Sequence, residues 1–216
     1  MVVVPLARRS SWLLGATLLA CAWMGVGSHA EAQVRRFQIA RNGGSRIQFV
    51  SDAPLERITG VSGTVSGELN LDPNALGSAR GTVAVDIASI RTGLDLRDEH
   101  LHGPDWLDAG HHPQATFEIT AVEGATALRA DETLRVTLRG RFTLHGVTRE
   151  ISAPAQVRLM PLTDELRAQG VTGDVIRGQA SFDVELSDYQ VSISAPVRLK
   201  VSNTIRVNVT LRAVAG

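Results

Sequence analysis

Thr133-Leu134-Arg135-Val136-Thr137-Leu138-Arg139-Gly140-Arg141-Phe142-Thr143-Leu144, then His145-Gly146, then Val147-Thr148-Arg149-Glu150-Ile151-Ser152-Ala153-Pro154-Ala155-Gln156-Val157-Arg158-Leu159, is the stretch whose reading decides the fold. In its first half Leu134, Val136, Leu138, Gly140, Phe142 and Leu144 alternate with Thr and Arg, which is the two-residue period of a strand with one dry and one wet face. After His145-Gly146 the parity flips, and Val147, Ile151, Ala153, Ala155, Val157 and Leu159 become the apolar set. A two-residue turn explains the flip. It places Leu144 opposite Val147, Leu138 opposite Ala153 and Leu134 opposite Val157, with both apolar rows on one side of a hairpin. Arg149, opposite Phe142, is the exception.

Outward from this hairpin the same pattern recurs. Short alternating runs cover Phe37 to Ala40 and Ser45 to Val50, and longer ones cover Val61 to Leu71, Ala79 to Ser89, Gln114 to Val122, Val175 to Ser187 and Val197 to Leu211. Between them lie turn signals such as Asn42-Gly43-Gly44 and Asp72-Pro73-Asn74. The spacing predicts an all-β domain of about eight antiparallel strands in a meander, hence a sandwich or a single closed barrel. Two segments depart from the pattern. Arg91 to Pro113 is polar, with one or two helical turns expected within Asp95 to Leu107, and Met160 to Gly173 is a long connection with a short helix expected at Asp164 to Ala168.

The inward row mixes large residues with many small ones: Gly63, Gly67, Gly81, Gly140, Gly178, Ala115, Ala121, Ala153, Ala155 and Ala180. A filled core would place larger side chains at more of these positions, whereas glycine also serves as the kink that bends a barrel wall. The row therefore predicts an apolar cavity, its mouth covered by Arg91 to Pro113. The residues expected to meet a ligand are Phe49, Val65, Val85, Phe117 and Leu138, together with Gly140, Phe142, Ala153, Ala180 and Phe182. Arg91 and Arg97 are candidates for a polar or phosphorylated head group, because a guanidinium matches phosphate in a bidentate fork.

Residues 1–32 read as a signal peptide: Arg8-Arg9, an apolar run from Trp12 to Val26, and Ala30-Glu31-Ala32 ahead of Gln33. The domain then spans 33–216 and is expected in the periplasm or secreted. The alternative is a lipoprotein anchored through Cys21, since Leu18-Leu19-Ala20-Cys21 resembles a lipobox. Beyond this leader there is no cysteine, so disulfides play no part. The 22 basic and 22 acidic residues are interspersed, which leaves no basic stripe for nucleic acid and no polybasic patch for anionic lipid.

Within this frame the chain resembles the YceI-like proteins, exported lipid-binding barrels of lipocalin-like shape. The resemblance rests on Ser89-Ile90-Arg91-Thr92-Gly93, Leu96-Arg97-Asp98-Glu99-His100-Leu101, Asp105-Trp106-Leu107-Asp108 with Pro113 and Thr116-Phe117, and Gly140 to Arg149. It implies an eight-stranded antiparallel barrel with a short helical excursion near the mouth. It also implies a pore holding a long isoprenoid or other amphiphile, without catalysis or cofactor. A homodimer is a further option.

Two rival readings have residues of their own. The histidines at 100, 102, 111 and 112 raise a metal-dependent hydrolase built on the 95–112 loop. Their spacing lacks the i, i+4 helical geometry that puts two imidazoles on one face, so no metal is expected there. An eight-stranded outer-membrane barrel would alternate similarly, but it calls for aromatic girdles. Outside the leader only Trp106 and Tyr189 offer an amphipathic ring. Arg97 beside Asp98 is expected to form an ion pair.

Overall fold

The computed structural model describes Met1 and residues 33–216; the signal-peptide and Cys21 readings lie outside the described residues. The 133–159 hairpin forms as the alternation requires. Its strands are β7 (Thr133–Leu144) and β8 (Val147–Met160), with Leu144 facing Val147, Leu138 facing Ala153 and Leu134 facing Val157. His145 and Gly146 both have positive φ, 49° and 74°, as a tight hairpin turn of matching twist demands. Arg149 does pair with Phe142, but at the barrel's end its guanidinium turns out and donates to the Asp188 carbonyl at 3.3 Å.

The remaining strands are β1 (Arg35–Ile39), β2 (Arg46–Asp52), β3 (Arg57–Ser62), β4 (Val65–Leu71), β5 (Arg80–Asp86), β6 (Gln114–Glu123), β9 (Val175–Glu185) and β10 (Thr204–Ala215). All pairings between them are antiparallel, in the order β1-β4-β5-β6-β7-β8-β9-β10, and β10 pairs back to β1 to close an eight-stranded barrel. β2 and β3 add two further strands, β2 lying along the first part of β10 and β3 along β2. Because β1 and β2 both run antiparallel to β10, they act as one long strand interrupted at the Asn42-Gly43-Gly44 turn. β3 and β4 form a second long strand, broken at Gly63-Thr64. The buried parity reverses across that break, from Ile58, Gly60 and Ser62 in β3 to Val65, Leu69 and Leu71 in β4, so the single run expected over Val61 to Leu71 is two strands and Val61 is not in the inward row.

Two other boundaries differ from expectation. Val197 to Leu199, read as the start of the last strand, is a single 3-10 turn, and β10 begins only at Thr204 but runs on to Ala215. In β6 the pairing with β7 skips a residue, Ile119 facing Gly140 but Ala121 facing Arg139. This bulge reverses the parity, so Val122 packs into the core in place of Ala121. Helices α1 (Asp95–His102) and α2 (Asp164–Ala168) fall where the breaks in alternation put them.

The outer surface of the barrel carries cross-strand ion pairs. Arg141 meets Glu118 at 2.6 Å, Arg206 meets Asp183 at 2.9 Å and Arg139 meets Glu123 at 2.5 Å. Exposed pairs of this kind are worth little in stability, but they mark a surface facing water. A lipid-facing barrel would be apolar there, so the outer-membrane reading does not fit this wall.

Candidate ligand cavity and the segment over its mouth

The barrel interior has two unlike halves. At one end Phe37, Ile39, Val65, Leu69, Leu71, Leu159, Ile176 and Ala213 form a filled core. Towards the other end the interior opens into a cavity of about 760 Å3, within the range of ligand pockets. Val83, Val85 and Ile119 belong to both, packing with the filled core while lining the cavity. Phe117, Phe142 and Phe182 wrap the wall, with ring centroids 6.4 Å apart for Phe117–Phe182 and 5.5 Å for Phe142–Phe182.

Eight of the ten residues expected to meet a ligand line this cavity: Phe49, Val85, Phe117, Leu138, Phe142, Ala153, Ala180 and Phe182. Val65 and Gly140 stand apart from the wall. Val65 is fully buried in the filled core. At Gly140 β6 approaches β7 closely, and a Cβ there would lie 2.2 Å from the Glu118 carbonyl oxygen. Its lack of a side chain serves strand approach at the bulge. The space of the cavity comes instead from Ala115, Ala153 and Ala180. Sequence reasoning overlooked much of the upper wall: Ile90 and Leu107 lie in irregular segments that have no period to read, and the alternation of Val197 and Val201 reads as strand where the chain forms a turn.

The mouth is bounded by the β2–β3 turn, by α1 and by the turn at Val197 to Leu199. Most polar residues of the wall gather here, among them Glu56, Thr92, Asp95, Arg97, His100 and Lys200. Leu55, Leu94, Leu96 and Leu199 are exposed large apolar side chains on the same three segments. Leu55 donates its backbone N–H to the Leu199 carbonyl at 2.8 Å, tying two of the segments together.

Arg97 and Asp98 do not pair with each other. Arg97 reaches across the mouth to Glu56 at 2.6 Å and donates to the Thr92 hydroxyl at 3.0 Å. Asp98, buried, accepts from the backbone N–H and the hydroxyl of Thr92 at 2.7 and 2.6 Å. Burial alone would raise its pKa, but the two Thr92 hydrogen bonds, helped by Arg91 and His102, outweigh that and hold the carboxyl below its ordinary value. Asp98 thus anchors the first turn of α1 to the strand-like segment before it. Arg91 is not part of the wall: its guanidinium donates to the Ala88 and Ile90 carbonyls at 2.7 and 2.8 Å, and its backbone bridges to Val61. Of the two head-group candidates, Arg97 alone lines the cavity.

The histidines weighed for a hydrolase do not converge on one another, and His112 packs against His145 of the β7–β8 turn instead. His102 is engaged with the Ile90 carbonyl at 3.1 Å, His100 lines the mouth, and the exposed His111 meets Asp108 at 2.9 Å.

An eight-stranded ring, a helical segment over one end and an apolar interior define the architecture, and the YceI-like domain model matches residues 39–213. The chain belongs to the YceI-like family. Among curated relatives it is 33% identical over 107 residues to a UPF0312 protein of Vibrio parahaemolyticus, covering 50% of this chain and 53% of that one. It is 36% identical over 98 residues to a UPF0312 protein of Pseudomonas fluorescens, covering 45% and 49%. The chain thus spans about half the length of the curated relatives it matches. Among solved YceI-like barrels and similar folds, Burkholderia cenocepacia BcnA aligns with a TM-score of 0.64 at 18% identity, covering 81% of this chain and 98% of that one. A polyisoprenoid binding domain from Saccharophagus degradans, implicated in plant cell wall breakdown, also aligns at 0.64 and 18%, covering 85% and 100%. The Campylobacter jejuni YCEI protein aligns at 0.59 and 22%, covering 73% and 84%. At these identities the structural likeness is one of fold.

Proposed function

We propose that this protein is an exported, non-catalytic carrier that holds a long apolar amphiphile, such as a polyisoprenoid, a prenyl quinone or a fatty derivative, with its chain in the barrel and its polar end at the mouth. The observation that carries this reading is the cavity itself: its deep wall is made of Phe, Val, Leu, Ile and Ala, and its polar residues collect at one end. Such a wall supplies burial as the driving force, up to about 0.8 kcal/mol for each methylene taken out of water. It offers little to orient a reacting group. Solved barrels of this shape include one described as a polyisoprenoid binding domain, which supports the ligand class. The charge arrangement of residues 1–32 supports delivery to the periplasm or exterior.

The test is mass spectrometry of organic extracts from protein purified without detergent. One equivalent of a prenol, prenyl quinone or fatty amphiphile is expected. A folded protein that yields no lipid, and takes up none from added prenols, would overturn the carrier. Arg97 is assigned to the head group. Replacing it with Met should weaken phosphorylated prenols more than unphosphorylated ones of the same length, and an unchanged ratio of affinities would remove that role. N-terminal sequencing of the protein recovered from the periplasm should begin at Gln33; retention in the membrane through a lipid on Cys21 would replace the soluble reading.

A further inference from the structure

We infer that Asp108, His112 and His145 form a binding site for a divalent transition-metal ion on the outside of the barrel, next to the cavity wall. Three side chains that are far apart in the sequence converge there. Asp108 and His112 lie in the connection between α1 and β6, where the Asp108 carbonyl accepts the His112 backbone N–H at 2.7 Å, one turn along. His145 comes from the β7–β8 turn. One ligating atom from each of the three lies within 4.8 Å of the others, and all three residues are half-buried. The imidazoles of His112 and His145 meet edge to face with centroids 5.0 Å apart. Gly146 makes room for them, since a Cβ there would lie 2.6 Å from the His112 ring.

The orientation of His145 is a second, independent pointer. Its Nδ1 lies 3.0 Å from the backbone carbonyl of the buried Tyr189. A carbonyl only accepts, so Nδ1 is the donor, and in the neutral imidazole Nε2 is the nitrogen left to bind an ion. Fixing an imidazole's tautomer through a backbone carbonyl is the outer-shell arrangement found behind metal-binding histidines. Two imidazoles and one carboxylate suit zinc, cobalt, nickel or copper, whereas calcium and magnesium call for more oxygen ligands. Three protein ligands leave a fourth position for water.

The site joins two pieces of the cavity's upper wall. Leu107 precedes Asp108, Leu144 precedes His145, and both leucines line the cavity. A bound ion therefore clamps the segment over the mouth to the end of the hairpin. The inference stands on these side chains alone and does not depend on what the cavity holds.

The test is calorimetric titration of the purified, EDTA-stripped protein with zinc chloride, repeated with cobalt chloride to read the visible absorption of the bound ion. One equivalent is expected, with a melting temperature that rises with zinc concentration. His112→Phe, which keeps a ring against Gly146, and Asp108→Asn should each lower the affinity at least tenfold and remove the thermal shift. His111→Ala should still take one equivalent. If His112→Phe loses its far-ultraviolet circular dichroism, Asp108→Asn and the cobalt spectrum decide. Failure of the parent protein to bind one equivalent, or equal affinity in a folded His112→Phe or Asp108→Asn, would overturn the site.

Discussion

Asp98 shows how one side chain can hold a whole segment in place. Its carboxylate is buried and takes both the amide and the hydroxyl of Thr92, so Asp98→Asn loses a charge-assisted pair and should cost about 1–3 kcal/mol. The pH dependence follows from the lowered pKa. A carboxyl that ionises more readily when folded stabilises the protein fully above its unfolded value and loses that contribution as pH falls through the folded one. The stability gap between the parent and Asp98→Asn, measured by urea unfolding, should therefore be widest near neutral pH and close in acid. Ala180 is decisive in the opposite sense, because its smallness leaves space. Ala180→Leu should leave the melting temperature unchanged or raise it, and should shorten the longest prenol that binds tightly. Each methylene pushed out of the cavity would cost up to about 0.8 kcal/mol, or roughly fourfold in Kd.

Among the elements, the β6–β7 pair shows where a barrel wall is least tolerant. The bulge at Thr120 brings the Glu118 carbonyl against Gly140, and that contact is with backbone, which cannot swing aside. Gly140→Ala should destabilise by about 1–3 kcal/mol, as overpacking in a tight interior does, visible as a lower urea midpoint with an unchanged slope. The same bulge marks how far periodicity could be read. Alternation located the 133–159 hairpin to the residue, because a turn that reverses parity leaves a visible flip in the sequence. It failed at Ala121 because a bulge leaves no such mark when small residues stand on both faces. It failed at Val197 to Val201 because three aliphatic residues spaced by two also suit a coiled turn whose side chains close over a cavity. The cavity's deep wall was legible from Ala153, Ala180 and the three phenylalanines. Its mouth was not, since Glu56, Arg97 and Lys200 meet only through the fold. His145 was read as a turn residue, which it is; its approach to His112 across 33 positions has no signature in spacing.

At the scale of the whole molecule, one half of the barrel is solid and the other hollow, so stability and capacity are separately adjustable. Substitutions such as Ile176→Ala in the filled end should cost about 2–5 kcal/mol yet leave the order of ligand affinities intact. That is checked by ranking prenols against the variant at a temperature where it remains folded. A different consequence comes from β10. Its twelve residues pair with β9 along one edge and with both β2 and β1 along the other, joining Phe37 to Ala215. The first and last strands of the ring must therefore meet before any of it is closed, which is the kind of long-range contact that slows folding. Until β10 docks, three strands offer open edges at once, each a template for pairing with another chain. A protein that stops short of Thr204 should accumulate as aggregate and not as a smaller barrel, and its fate during synthesis hangs on how quickly that final strand arrives.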